Sequence, residues 1–407
     1  MFACSGEEPQ KPKVYPKVSL DIVGAESLVV IDGNANGRVS ASQTNFLKLK
    51  EDGSFLAVEF RDPSGNIVDT AAFHDVYVNV TTIQNLSPEY VLLTGYFSFP
   101  DTSGLSTDYR NILVRKTDGA IYDLAVNYIP ESYYKRGEDR FKKDGSDNIY
   151  FVEASRIVKV ALDNPEQLTK MDLLPDGQYA NYFEISSDGV CMYEYYQSSL
   201  DFRIRKPDGG IFVIDVEGQT NDDFWTGVNG SLYFLTWGPG GSVIHQIVLV
   251  DGEVTIKDVW SGEYINMDRS YSSGSMMIKM GNSVLFINPD NPQGSWEFSE
   301  TENVVKKIEL PFAEPKSKLV HSDDYYYIAT NDDLFKIDKS NHTYTSLLGA
   351  GRYEVYAMSV DDNEKVRFSG LRFKDGRKIF AEIDADGMLT TIDEELNQAA
   401  IILKRIN

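Results

Sequence analysis

The stretch Phe202-Arg-Ile-Arg-Lys-Pro-Asp-Gly-Gly-Ile-Phe-Val-Ile-Asp-Val216 decides the fold. Phe202 and Ile204 alternate with Arg203 and Arg205, the period-two pattern of a strand with one buried face. Pro207-Asp208-Gly209 then supplies a turn: Pro presets φ, Asp bonds its own backbone, and Gly takes the left-handed corner. A second strand, Ile211 to Val216, returns antiparallel.

Working outward, the same hairpin recurs across Asp52-Gly53, Asp118-Gly119, Asp251-Gly252 and Asp386-Gly387. Residues 18–394 read as successive four-strand meanders at a mean period of about 47 residues, a repeat architecture. In the first of them the strands are Val18–Val23, Glu26–Ile31, Asn45–Lys50 and Ser54–Phe60. The expectation is all-β: a β-propeller of four-stranded antiparallel blades. Eight blades are preferred because all four strands can be read in the first unit; seven follow if that unit merely completes the last blade. Residues 1–17 are a polar, Pro-bearing tether. Residues 395–407 read as an amphipathic tail packing on a blade edge.

Composition agrees with this. Tyr 24 and Phe 21 favour strands, Gly 31 suits a turn-dense chain, and a 42% hydrophobic fraction is ample for a core. Asp+Glu 62 against Lys+Arg 39 gives a net charge of −23, which repels phosphate backbones and anionic lipid. Nucleic acid is therefore excluded as an expected partner. No apolar run approaches the ~18 residues of a membrane helix. Cys4 and Cys191 are the only cysteines, too few for a disulfide framework or a four-Cys zinc site. Cys191, inside a strand pattern, reads as an inert buried thiol.

In a propeller, the connections between blades and the turns between second and third strands share one face around the channel. Ligands generally bind on that face. Residues placed there are Tyr134, Arg136, Tyr179, Trp225, Trp237, Tyr264, Arg269, Arg352 and Tyr353. Flat rings stack on apolar faces of sugars or peptides while Arg binds hydroxyls and carboxylates, so these are the candidate ligand-binding residues. Against this stands the packing reading, since Tyr and Trp also fill the gaps between blades.

Catalytic signatures are absent. The chain has no His-Glu-x-x-His pair, Gly-x-Ser-x-Gly elbow or Walker loop, and His74, His245, His321 and His342 are scattered. The Asp-box of sialidase propellers is also missing. No catalytic residue is nominated and no cofactor is expected. One calcium pattern stands out: Asp32, Asn34 and Asn36 occupy alternating ligand positions before Gly37, but position twelve is Gln43 and supplies no bidentate carboxylate.

Phe2-Ala-Cys-Ser-Gly-Glu-Glu8 resembles the end of a bacterial lipoprotein signal, with a small residue before Cys4 and an acidic run after it. Together with the degenerate propeller, this resembles the uncharacterised β-propeller lipoproteins of Bacteroidetes. The resemblance implies lipidation at Cys4 and a surface-exposed or periplasm-facing place on the outer membrane, with the membrane touched only through that lipid. It implies a monomer that binds a glycan or a peptide at the channel mouth without catalysis. An alternative is a scaffold for an envelope protein in an outer-membrane complex; another is a carbohydrate-active hydrolase or lyase.

Overall fold

Two features of the sequence build the sheets: strands that alternate apolar and polar residues, and turns closed by an aspartate side chain. In the computed structural model of the chain, residues 14–31, 45–67, 78–97, 108–124, 141–153, 156–161, 170–175, 177–178, 180–196, 200–214, 219–265, 276–280, 282–287, 295–308, 319–393 and 400–406 are described. Every regular element among them is a strand. The fold is a β-propeller of eight four-stranded antiparallel blades.

The chain divides into two compact units. Tyr128–Glu314 carries blades 3 to 6. Blade 3 is β10 (Phe141–Lys143), β11 (Ile149–Glu153), β12 (Arg156–Val160) and β13 (Lys170–Asp172). Blade 4 is β14 (Ala180–Ile185), β15 (Cys191–Tyr196), β16 (Leu200–Arg205) and β17 (Ile211–Val213). Blade 5 is β18 (Gln219–Thr226), β19 (Leu232–Gly238), β20 (Gly241–Val250) and β21 (Glu253–Gly262). Blade 6 is β22 (Met276–Met280), β23 (Ser283–Ile287), β24 (Ser295–Ser299) and β25 (Val304–Ile308). In the opening stretch, Arg203 pairs with Val213 and Arg205 with Ile211, the hairpin read from the sequence.

Each sheet is apolar on both faces, so consecutive blades pack through shared cores. Tyr150 and Ile157 of blade 3 meet Phe183, Cys191 and Tyr193 of blade 4. Met192, Phe202 and Ile204 meet Phe224, Leu232 and Phe234 of blade 5. Trp225, Tyr233 and Leu235 meet Val284, Phe286 and Phe298 of blade 6. Polar threads run along the same unit: Lys142 Nζ lies 2.8 Å from Glu184 Oε1, and the Thr226 hydroxyl donates to Glu184 Oε2 at 2.8 Å. Glu184 is buried, so losing Lys142 would remove the counter-ion of a charge in the core.

The second unit, Pro12–Asn127 with Pro315–Asn407, carries blades 7, 8, 1 and 2. Blade 7 is β26 (Leu319–His321), β27 (Tyr325–Ala329), β28 (Leu334–Asp338) and β29 (Tyr344–Ser346). Blade 8 is β30 (Tyr353–Val360), β31 (Val366–Arg372), β32 (Arg377–Ile383) and β33 (Leu389–Asp393). Blade 1 joins the two ends of the chain: β34 (Ala400–Arg405) is its first strand, ahead of β2 (Ser27–Ile31), β3 (Phe46–Leu49) and β4 (Phe55–Ala57). Blade 2 is β6 (Val78–Asn85), β7 (Tyr90–Phe97), β8 (Asp108–Arg115) and β9 (Ala120–Asp123), extended at its outer edge by β1 (Val14–Leu20) and β5 (Phe60–Arg61).

Blade 1 therefore differs from the sequence reading. Val18–Val23 does not open it; its first half, Val18 to Leu20, lies in β1, on the edge of blade 2, where Ser19 faces Ala120. The segment 400–405, read as part of an amphipathic tail, is a ladder strand, with Leu28 opposite Lys404 and Val29 opposite Leu403. The Arg405 guanidinium adds a two-pronged bond to Asp362 of blade 8, at 2.7 and 2.8 Å. Lys116 of blade 2 reaches the Ile406 carbonyl and Asn85 Oδ1.

In a meander, first-to-second and third-to-fourth turns lie at one end of the sheet, here called the turn end. The second-to-third turn and the links to neighbouring blades lie at the other, the connection end. The turn ends are rich in aspartates that accept nearby backbone N–H groups: Asp52 from Ser54, Asp208 from Gly210, Asp338 from Ser340 and Asp361 from Asn363, all at 2.7–2.9 Å. Asp144 goes further, accepting from the backbones of Ser146 and Asn148, the Asn148 amide and the Tyr150 phenol. Burial alone would raise its pKa, but those donors hold the carboxyl below its usual range.

Candidate functional site

The connection end of blade 5 is the best-defined candidate site. Ser242 pairs with Gly262, so β21 finishes beside the Gly238–Gly241 turn and the chain continues into Tyr264 at the same end. Gly241 sits at φ +114°, and a Cβ there would lie 2.0 Å from Gly262 O. Only glycine lets the two strands approach this closely. The result is an edge-to-face aromatic pair: the rings of Trp237 and Tyr264 are 5.9 Å apart at 81°. Tyr264 is 47% exposed, while the next residue, Ile265, is buried and its N–H donates to Ser242 Oγ at 2.9 Å. That anchor fixes the point from which Tyr264 projects. The indole nitrogen of Trp237 is buried and has no hydrogen-bond partner.

One residue back from Trp237, on the opposite face of β19, lies a relay. The Thr236 hydroxyl is 2.7 Å from His245 Nε2, and His245 Nδ1 is 2.7 Å from Asp258 Oδ1. Phe234 stacks on the imidazole at 4.6 Å. The arrangement fits a neutral ring that donates Nδ1–H to Asp258 and accepts the threonine hydroxyl at Nε2. Burial pushes the His245 pKa down, and Asp258 only partly restores it. The order hydroxyl, imidazole, carboxylate is that of acyl-transfer triads. Here Thr236 is 1% exposed, so the hydroxyl is closed to an incoming carbonyl and the relay ties β19, β20 and β21 together. The residues lie on three strands, which is why no local sequence motif pointed to them.

Trp225 is 0% exposed and belongs to the core. Its indole stacks on Tyr233 at 5.6 Å and 15°, and takes the edges of Phe286 and Phe298 at 5.4 and 6.1 Å. The sequence reading put it at the loop face because strand signals resume only at Phe224. In fact β18 begins at Gln219, and an irregularity between Thr220 and Phe224 carries Asn221-Asp222-Asp223 within the strand.

In the second unit, Arg352 is exposed in the link before β30, and Tyr353 opens that strand with its ring edge-on to Phe368 at 6.2 Å. Tyr134, Arg136, Tyr179 and Arg269 lie outside the described residues, as do Cys4 and the calcium-pattern residues Asp32, Asn34 and Asn36. Among the described residues no group of three or more His, Cys, Asp or Glu side chains is placed to hold a metal ion. None of them forms a helix long and apolar enough to cross a membrane. Phe373, exposed in the β31–β32 turn, was not among the residues singled out from sequence.

No family model and no curated protein matches the chain. Solved structures do resemble it. A candidate 6-phosphogluconolactonase of Bacteroides fragilis is 16% identical over 80% of this chain and 99% of its own, with a TM-score of 0.43. Virginiamycin B lyase from Staphylococcus aureus is 14% identical over 62% of this chain and 82% of its own, at 0.37. A Bacteroides caccae protein of unknown function is 13% identical over 61% of this chain and 94% of its own, at 0.29.

Proposed function

We infer that the protein is a non-catalytic binding module of the bacterial cell envelope, tethered through a lipid on Cys4, that captures a glycan or a peptide. The observation that carries the binding reading is the Trp237–Tyr264 pair at the connection end of blade 5. Two rings at right angles offer one face and one edge to an apolar surface, and the glycine turn beside them leaves the space next to Gly238 and Gly240 open. Burial of Thr236 weighs against the hydrolase alternative at this blade.

A glycan and peptide array probed with the full chain tests this. Hits should weaken at least about tenfold in Trp237→Ala and Tyr264→Ala, with the far-ultraviolet spectrum unchanged. If every hit survives both substitutions, blade 5 is not the binding site.

A further inference from the structure

Blade 8 carries opposite charges at its two ends. Its turn end holds Asp361, Asp362, Glu364, Asp384 and Asp386. Its connection end holds Arg352 and the stretch Arg372-Phe-Lys-Asp-Gly-Arg-Lys378. The single carboxylate in that stretch is already taken: Arg372 grips Asp375 through Nε at 3.1 Å and Nη2 at 2.7 Å, which pushes the Asp375 pKa down to about 2. Arg377, also exposed, donates its backbone N–H to the same carboxylate at 3.3 Å and holds its Nε 3.9 Å from it. Arg352, Lys374 and Lys378 make no ion pair among the described residues. Two carboxylates also stand nearby: Glu354, one residue into β30, and exposed Asp332 of blade 7, whose carbonyl accepts the N–H of Gly351 at 3.0 Å.

Beside these cations stands an apolar ring. Phe373 is 43% exposed at the tip of the turn, and its N–H donates to Arg352 O at 3.0 Å, so guanidinium and ring rise from adjacent backbone. The acidic end does not cancel the basic one. A strand of the length of β31 spans about 23 Å, and charges are screened over about 8 Å in physiological salt.

We propose that the connection end of blade 8 binds an acidic glycan, a chain of carboxylated sugars. Guanidinium forks match carboxylates, and an exposed aromatic ring covers the apolar face of a pyranose. This inference goes beyond the reading at Trp237 and stands apart from it, on a different blade and in the other unit.

The test is calorimetric binding of the full chain to oligogalacturonate, to neutral oligogalactose of equal length, and to oligoglutamate, at low and high salt. Oligogalacturonate alone should bind, more weakly as salt rises. Arg352→Glu and Lys374→Glu should each lower the affinity about tenfold and flatten the salt dependence. Phe373→Ala should lower it by a similar factor without flattening it, and Trp237→Ala should leave it unchanged. The proposal is overturned by equal binding of the neutral sugar, by no binding, or by insensitivity to the charge reversals. Oligoglutamate binding as tightly as the uronate would also overturn it, in favour of an acidic peptide. Loss of uronate binding with Trp237→Ala would relocate the site to blade 5 and leave only the earlier reading standing.

Discussion

Trp225 and Trp237 lie on paired strands of one sheet, yet their environments set opposite expectations. The first is enclosed by Tyr233, Phe286 and Phe298; the second stands beside an exposed tyrosine at the sheet end. Trp225→Ala should therefore destabilise by about 3–5 kcal/mol, as large-to-small changes in packed cores do. Trp237→Ala should cost no more than about 1 kcal/mol while weakening capture at blade 5 at least about tenfold. Urea unfolding of both variants checks this, and equal losses would refute the division into core and site. His245 gives a second expectation at this scale. Its folded-state pKa lies below the unfolded value near 6.5, because burial disfavours the charged ring. The unfolded chain thus binds the extra proton first, so its contribution to stability is complete above pH 6.5 and is lost as pH falls below it. In His245→Gln, the pH dependence of the unfolding midpoint between neutral and mildly acidic pH should become shallower. An unchanged slope would mean that this imidazole does not govern it.

Among the elements, the two that the sequence concealed are both joined to strands far away in the chain. Apolar alternation and Asp-Gly turns marked the hairpins, because both ends of each pairing lie within a few residues. Nothing local marks β34 as the partner of β2, since its alternation is the same whether it packs on an edge or enters a ladder. The same holds for β1, whose partners Ala120 and Tyr122 lie a hundred residues on. At the candidate site, the Gly238–Gly241 turn and the tyrosine after β21 were legible as loop residues. The depth of Trp225 was not, because polar residues within β18 disguised where that strand begins. Removal of residues 400–407 should accordingly unfold blade 1 and expose the second unit to limited proteolysis; a truncated chain as resistant as the intact one would show that β34 is dispensable. Gly119 offers a finer probe. It sits at φ +72°, and a Cβ there would lie 2.0 Å from Leu20 O. Gly119→Ala should peel β1 from blade 2 and cost about 2 kcal/mol or more. Faster amide exchange confined to β1 and β9 would report it.

For the whole molecule, the sign of the charge and its placement have separate origins. Many of the carboxylates at the turn ends close turns, so the acidity is partly a by-product of how a repeat protein makes hairpins: Asp52, Asp208, Asp338 and Asp361 each accept a backbone N–H two residues on. Some are neutralised by partners, as Asp362 is by Arg405 and Glu364 by Lys336, but the excess of acid over base leaves −23 to be borne by the folded chain. Self-repulsion of that size opposes compactness and is long-ranged, whereas the ion pairs are short and partly shielded from solvent. Added salt should therefore relieve the repulsion more than it weakens the pairs. The unfolding temperature should rise as sodium chloride is brought from low to physiological concentration, then level off once the screening length falls below the spacing between turns. A midpoint that fell throughout the chloride titration would mean that the ion pairs, and not the net charge, dominate the electrostatics of this fold.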